Sequence, residues 1–422
     1  MQWLTAAFLA ALLLGTAVRL WLGHRQICAA RAHREQVPAP FRDQVSVAEN
    51  QKAADYAVAR AHLSRIEMLV DAVIVLALTL GGGIAFAASA WSKLGWREPW
   101  QGLALVASVL LLTGLLGEPF SLWRTFRIEA AFGFNRTTWS LYLIDRAKGL
   151  LLGVLIGAPL LLGALFLMQH GGRWWWIYTW AAWIVVSLAL TWAWPAVIAP
   201  LFNRFSPLAD EALKARIEAL LGRCGFTSQG VFVVDGSRRS AHGNAYFTGV
   251  GRNKRIVFFD TLLERLAPQE VEAVLAHELG HFRLHHIRAR IIVSAVTSLA
   301  ALAILATLLS LPAASAALGV PIPRGATSAS AASTLLLFAF VAPAFSFFAT
   351  PLTAWWSRVH EFAADRFACA HTEREQLASA LVKLYRDNAT PLAPDAIVSG
   401  FYDSHPPAIA RIAQLRAPAA RA

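Results

Sequence analysis

Seven apolar runs dominate the chain, at roughly 1–22, 67–91, 101–117, 149–169, 174–199, 291–312 and 332–350. Each suits a helix that crosses a bilayer, for which roughly 17–25 apolar residues are needed. The first run, MQWLTAAFLAALLLG, lacks a basic start and meets its first charge only at Arg19, so it reads as a retained helix rather than a cleaved leader. Trp174, Trp175, Trp176 and Tyr178 open the fifth run, and Trp91, Trp96 and Trp100 bracket a short loop, as aromatic rings at the headgroup level do. The polar segments alternate in charge. Segments 23–65, 118–148, 200–290 and 351–422 hold 33 Lys and Arg, against Lys93, Arg97, Arg173 and Arg324 in the other three. Basic loops stay on the cytoplasmic side, so the amino terminus is expected outside and the carboxyl terminus in the cytoplasm.

Composition agrees with that pattern. Of 422 residues 57% are hydrophobic and 15% charged, and the mean hydropathy is +0.49. A soluble domain carries about 25% charged residues. The net charge of +12 would raise the question of nucleic acid in a soluble protein. Here the surplus sits in the basic loops, so the bilayer is the expected partner and nucleic acid is not. Cys28, Cys224 and Cys369 lie too far apart for a disulfide framework or a paired-cysteine zinc site. The Ala- and Arg-rich composition points to a bacterial inner membrane. The expected architecture is an all-α integral membrane protein with a cytoplasmic α+β domain. Residues 1–199 form a membrane domain of five spans. Residues 200–422 form a second domain that includes spans six and seven.

Within 200–290 a helical stretch, DEALKARIEALLGRCGF, precedes strand-like GVFVVDG and KRIVFFD, with a short exposed strand, Asn244 to Phe247, between them. The helical stretch APQEVEAVLAHELGHFRLHHIRAR then carries His277-Glu278-Leu279-Gly280-His281. Four residues apart on a helix, His277 and His281 share a face and can reach one Zn²⁺. Glu278 stands beside the metal's open position, where a carboxylate can move protons between water and a leaving amine.

A third ligand is expected from Ser357-Arg358-Val359-His360-Glu361-Phe362-Ala363-Ala364-Asp365. HELGH ends about ten residues before span six, and Glu361 lies about eleven beyond span seven. If both helices continue past the membrane, His281 and Glu361 arrive at one depth. Two histidines, one glutamate and one water make a catalytic zinc set. Asp365, one turn beyond Glu361, is placed to accept the free ring N–H of a zinc histidine. His360 is a competing ligand that points about 100° away on the same helix. His285 and His286 are expected at the membrane interface, because three ligands over eight helical residues span about 12 Å. His405, before Pro406 and Pro407, sits on a stiff turn that could aim it into a site.

The chain resembles the zinc-dependent CAAX prenyl endopeptidase family. The motifs FRDQVSVAENQKAADYAVARAHL, WRTFRIEAAFGFNRTTWSLYLIDRAKGLLLG, IAPLFNRFSPL, SAHGNAYFTG, RIVFFDTLL, HELGHF, SRVHEFAAD and SHPPAIARI follow in family order over about residues 38–412. The resemblance implies seven helices forming a barrel around a chamber, closed at its cytoplasmic end by a gluzincin-like zinc site. It makes His277, His281 and Glu361 the metal ligands and Glu278 the catalytic glutamate. It gives Asn244 and Ala245 to β-pairing with the substrate, and His405 and Arg411 to the tetrahedral intermediate or the substrate. The implied substrates are peptides or proteins, with or without an isoprenoid, cut near a CAAX-like carboxyl end. A general membrane quality-control protease and a transporter with a structural zinc are the rival readings; Glu278→Gln separates peptidase from transporter.

Overall fold

The computed structural model describes residues 2–226, 228, 230–248, 255–309, 311–322 and 327–417. Arg324, counted above with the sparsely charged loops, lies outside them. Among the described residues, six helices are long and apolar enough to cross a membrane, or seven if one bent pair counts as a span. They are α1 (Gln2–Ala32), α2 (Val47–Leu78) with α3 (Gly83–Lys93) as the bent pair, α4 (Trp100–Glu129), α5 (Trp139–His170) and α6 (Gly172–Phe202), then two more in the second half.

The second span differs from the expected single helix at 67–91. Helix α2 starts earlier, at a capping box in which Ser46 Oγ accepts from Glu49 N (3.2 Å) and Glu49 Oε2 accepts from Ser46 N (2.7 Å). It breaks at the run of glycines 81–83, where Gly82 has φ +76°, and α3 leaves at 51°. Only 6% of the apolar window of α5 is buried by protein. Such a surface is stable against lipid and not against water. Helix α4 ends in a stretch of wider π-helical turns, Arg124–Glu129.

The second half adds α7 (Glu211–Cys224), whose N-cap is the Asp210 carboxylate bonded to Leu213 N, and a four-stranded sheet. The strands are β1 (Phe205–Pro207), β2 (Val231–Val234), β3 (Ala245–Thr248) and β4 (Arg255–Phe259), in the order β1-β2-β4-β3. Strands β2 and β4 run parallel; β3 pairs antiparallel with β4, Ala245 facing Phe258. Strand β3 is therefore an edge. Then follow α8 (Pro268–Arg283), α9 (His286–Leu309), α10 (Ser328–His371), α11 (Arg374–Asp387), α12 (Ala396–Tyr402) and α13 (Ala408–Arg416).

One apolar core joins α7, β4, α8 and α11 through Ile217, Leu220, Phe258, Val271, Leu275 and Leu377. Helix α8 is held at its start. Glu270 accepts from Ala267 N, Ser379 Oγ and Lys383 Nζ, each at 2.7 Å. Burial alone would raise the Glu270 pKa; these bonds hold it below the usual carboxylate range.

Candidate metal centre

Two helices of different origin build this site. Helix α8 supplies His277, Glu278 and His281, and α10 supplies Glu361 and Asp365. Helix α10 runs out of its apolar part to His371, as expected, through one 3-10 turn at Phe347–Ala349. Helix α8 does not continue into span six. The chain turns at His285 (φ +60°), and α9 begins at His286. The shared-depth argument thus holds for α10 alone, and α8 arrives by packing. Gly280, inside HELGH, allows that packing: a methyl there would lie 3.1 Å from Ala364 Cα and 3.2 Å from Ala364 O.

The result is a cluster of three donor groups. His277 Nε2 lies 3.2 Å from His281 Nε2 and 3.4 Å from Glu361 Oε2, and His281 Nε2 lies 3.3 Å from Glu361 Oε1. Among the described residues, His277, His281 and Glu361 form the single group of three or more such side chains able to hold one ion. His277 is 6% exposed and Glu361 3%. Glu361 Oε2 is buried without a well-formed hydrogen bond, although His405 Nδ1 stands 2.8 Å away. Donor atoms held at about 2.0–2.2 Å from one ion in a tetrahedron lie about 3.3–3.6 Å apart. The observed spacing fits that requirement, and an orphaned carboxylate oxygen facing two imidazoles suits a cation better than any neutral filling.

The supporting residues fix the ring tautomers. His277 Nδ1 lies 2.8 Å from Asp365 Oδ1, so its N–H donates there and Nε2 keeps a lone pair for the cluster. Asp365, expected in this role, also accepts two 2.6 Å bonds from Arg411. Arg411 is 4% exposed and lies 3.7 Å from Glu361 Oε2, so its guanidinium is engaged with the ligand cradle. Burial pushes the Arg411 pKa down, but Asp365 more than offsets it and keeps the group charged. At His277, burial and Arg411 also lower the pKa. The bonds to Asp365 and Glu361 outweigh both and hold it above its ordinary value.

His286, at the start of α9, is buried. Its Nδ1 lies 3.0 Å from His281 Nδ1, and its ring stacks on His360 at 4.0 Å and 7°. It orients His281 as Asp365 orients His277. Sequence spacing missed this because the turn at His285 reverses the face that His286 presents. His360 packs on Trp356 and His286, outside the donor cluster. Glu278 is half-buried, and among the described residues its carboxylate engages no hydrogen bond or ion pair. The His405 side chain is 65% exposed. Asn244 is exposed, its carbonyl accepts from Phe259 N at 3.0 Å, and Ala245 opens β3.

Comparison with known proteins covers nearly the whole chain. Residues 26–204 match the family described as CAAX prenyl protease N-terminal, five membrane helices, and residues 207–419 match peptidase family M48. A CAAX prenyl protease 1 homolog of Oryza sativa subsp. japonica is 36% identical over 74% of this chain and 72% of its own length. The Homo sapiens homolog is 33% identical over 75% and 74%. The Caenorhabditis elegans homolog is 29% identical over 97% of both. The crystal structure of S. mikatae Ste24p superposes with a TM-score of 0.89 at 26% identity, over 98% of this chain and 99% of that one.

Proposed function

The chain belongs to peptidase family M48, with the five-helix amino-terminal region of the CAAX prenyl proteases, and on that premise we propose a zinc site, a catalytic set and a substrate class for it. It is a multi-pass membrane metalloendopeptidase of the CAAX type that acts on peptides or proteins.

The ligands in this reading are His277, His281 and Glu361. The observation that carries it is the spacing of their donor atoms at 3.2–3.4 Å. Two imidazoles and one carboxylate with an open position suit zinc. Bound there, zinc would supply Lewis acidity to the scissile carbonyl and to a water. Glu278 takes the water's proton and passes it to the leaving amine. His405 donates to the developing oxyanion from its exposed ring. Asp365 and Arg411 keep His277 in the right tautomer; Arg411 acts on the substrate only through that ring. The substrate lies extended along β3, pairing with Asn244 and Ala245, since an edge strand has free backbone groups. Residues 1–199 serve as the membrane domain and 200–422 as the peptidase domain. The charge pattern supports an outside amino terminus and a cytoplasmic site in a bacterial inner membrane. A reporter fused after Ala422 should read cytoplasmic and one within 313–331 external; the reverse would overturn this orientation.

The resemblance supports a chamber beside the zinc and a prenylated substrate. Burying an isoprenoid on apolar walls stabilises at roughly 25 cal/mol per Å². It speeds the reaction only where it helps to place the carbonyl. One CAAX peptide assayed with and without a farnesyl group tests this. Both forms should be cut, the farnesylated one faster by a modest factor. If neither is cut while a denatured membrane protein is, the quality-control reading replaces it.

A further inference from the structure

Strand β3 belongs to the peptidase half, but the segment that leads into it is gripped by the membrane half. Ala241 N donates to Phe134 O (3.0 Å) and Arg136 N to Arg239 O (3.1 Å), and Asn135 bridges Ser240 like a strand partner. Arg239 reaches Asp145 with two bonds, of 2.7 and 2.9 Å. The next residue but two, His242, stands between the halves. Its ring stacks on Phe134 at 4.3 Å, and Nε2 faces Glu129 Oε2 at 3.6 Å. Glu129 in turn accepts from Tyr56 OH at 2.6 Å. On the other side, Asn388 Oδ1 accepts from His242 Nδ1 (3.1 Å) and from Gly243 N (3.2 Å), while the His242 carbonyl accepts from Thr261 Oγ1 (2.9 Å). The backbone of Asn244 follows directly.

Glu129 is the last residue of the wider turns that end α4. A π-helical stretch shifts the residues after it round the axis, and such stretches recur where a side chain must be aimed. Nothing in the metal cradle needs this construction. Glu129, Tyr56 and Phe134 touch none of the donor groups, and their shared contact is the His242 turn.

We infer that Glu129 and His242 are positioning residues through which the membrane domain sets the register and height of β3 for the substrate backbone. The inference rests on the proposed pairing of substrate with β3. Fixing an edge strand beforehand lowers the ordering cost of binding, so the effect belongs in KM. The metal and the proton transfers are untouched.

The test uses the full chain in detergent or vesicles. One peptide is compared with its analogue in which a backbone N–H before the scissile bond is replaced by an ester oxygen. Wild type should lose affinity for the ester. His242→Ala and Glu129→Gln should keep full metal content and most of kcat, raise KM about five-fold or more, and lose most of the ester penalty, since the two changes are coupled. Tyr56→Phe, which removes one hydroxyl, should act in the same direction more weakly. His242→Gln, with an amide donor for Asn388, should recover part of KM. A wild type indifferent to the ester would end the β3-pairing reading and this inference with it. A normal ester penalty together with unchanged KM in His242→Ala would overturn the inference alone. So would parallel loss of metal and kcat, which is the mark of a general fold defect.

Discussion

Helices α8 and α10 meet at one metal cradle but are made in opposite ways. Helix α8 is short and buried along most of its length, and Glu270, Ser379 and Lys383 pin its start. Helix α10 is a 44-residue helix that carries two carboxylates out of its apolar part. One reaches the site by packing in a core, the other by length. A ligand set split this way depends on the contact between the two helices. That contact is close because Gly280 has no side chain and Ala364 has only a methyl.

Substitutions on α8 can separate chemistry from assembly. Glu278→Gln removes the proton carrier and leaves every ligand in place. Hydrolysis should fall about 10²–10⁴-fold with metal content unchanged, read by peptide cleavage beside metal analysis of the same sample. Substantial turnover would show that another group moves the proton. Gly280→Ala acts on assembly. The new methyl must push Ala364 by a few tenths of an ångström, for a cost of about 1–3 kcal/mol. Thermal unfolding should come earlier and metal should be held less tightly. Wild-type stability and metal affinity would mean that the cradle tolerates looser packing than the comparison implies.

The sequence made these two helices legible to different degrees. The HELGH spacing specifies two imidazoles on one face whatever the surroundings, because the helix repeat fixes it. Glu361 was reachable through topology, since consecutive antiparallel spans return the chain to the same side. The premise was half right: α10 continues, whereas the turn at His285 separates α8 from α9. The contact between His286 and His281 is hidden for that reason, because a single positive φ is invisible to periodicity. The bend after α2 left a trace in Gly81, Gly82 and Gly83, but hydropathy alone averaged over it. The engagement of Arg411 with Asp365 rests on a contact across 46 positions, which no local pattern encodes.

The donor cluster is the centre of the account, and the neighbours His360 and Glu361 test it most directly. They are adjacent on α10, yet one stacks on His286 and the other closes the cluster. Metal analysis of wild type, His360→Ala and Glu361→Ala should give about one zinc per chain for the first two, with clear loss in the third, because two protein ligands hold zinc weakly. Full zinc in Glu361→Ala, with loss in His360→Ala, would contradict the assignment and move the third ligand one residue along the helix.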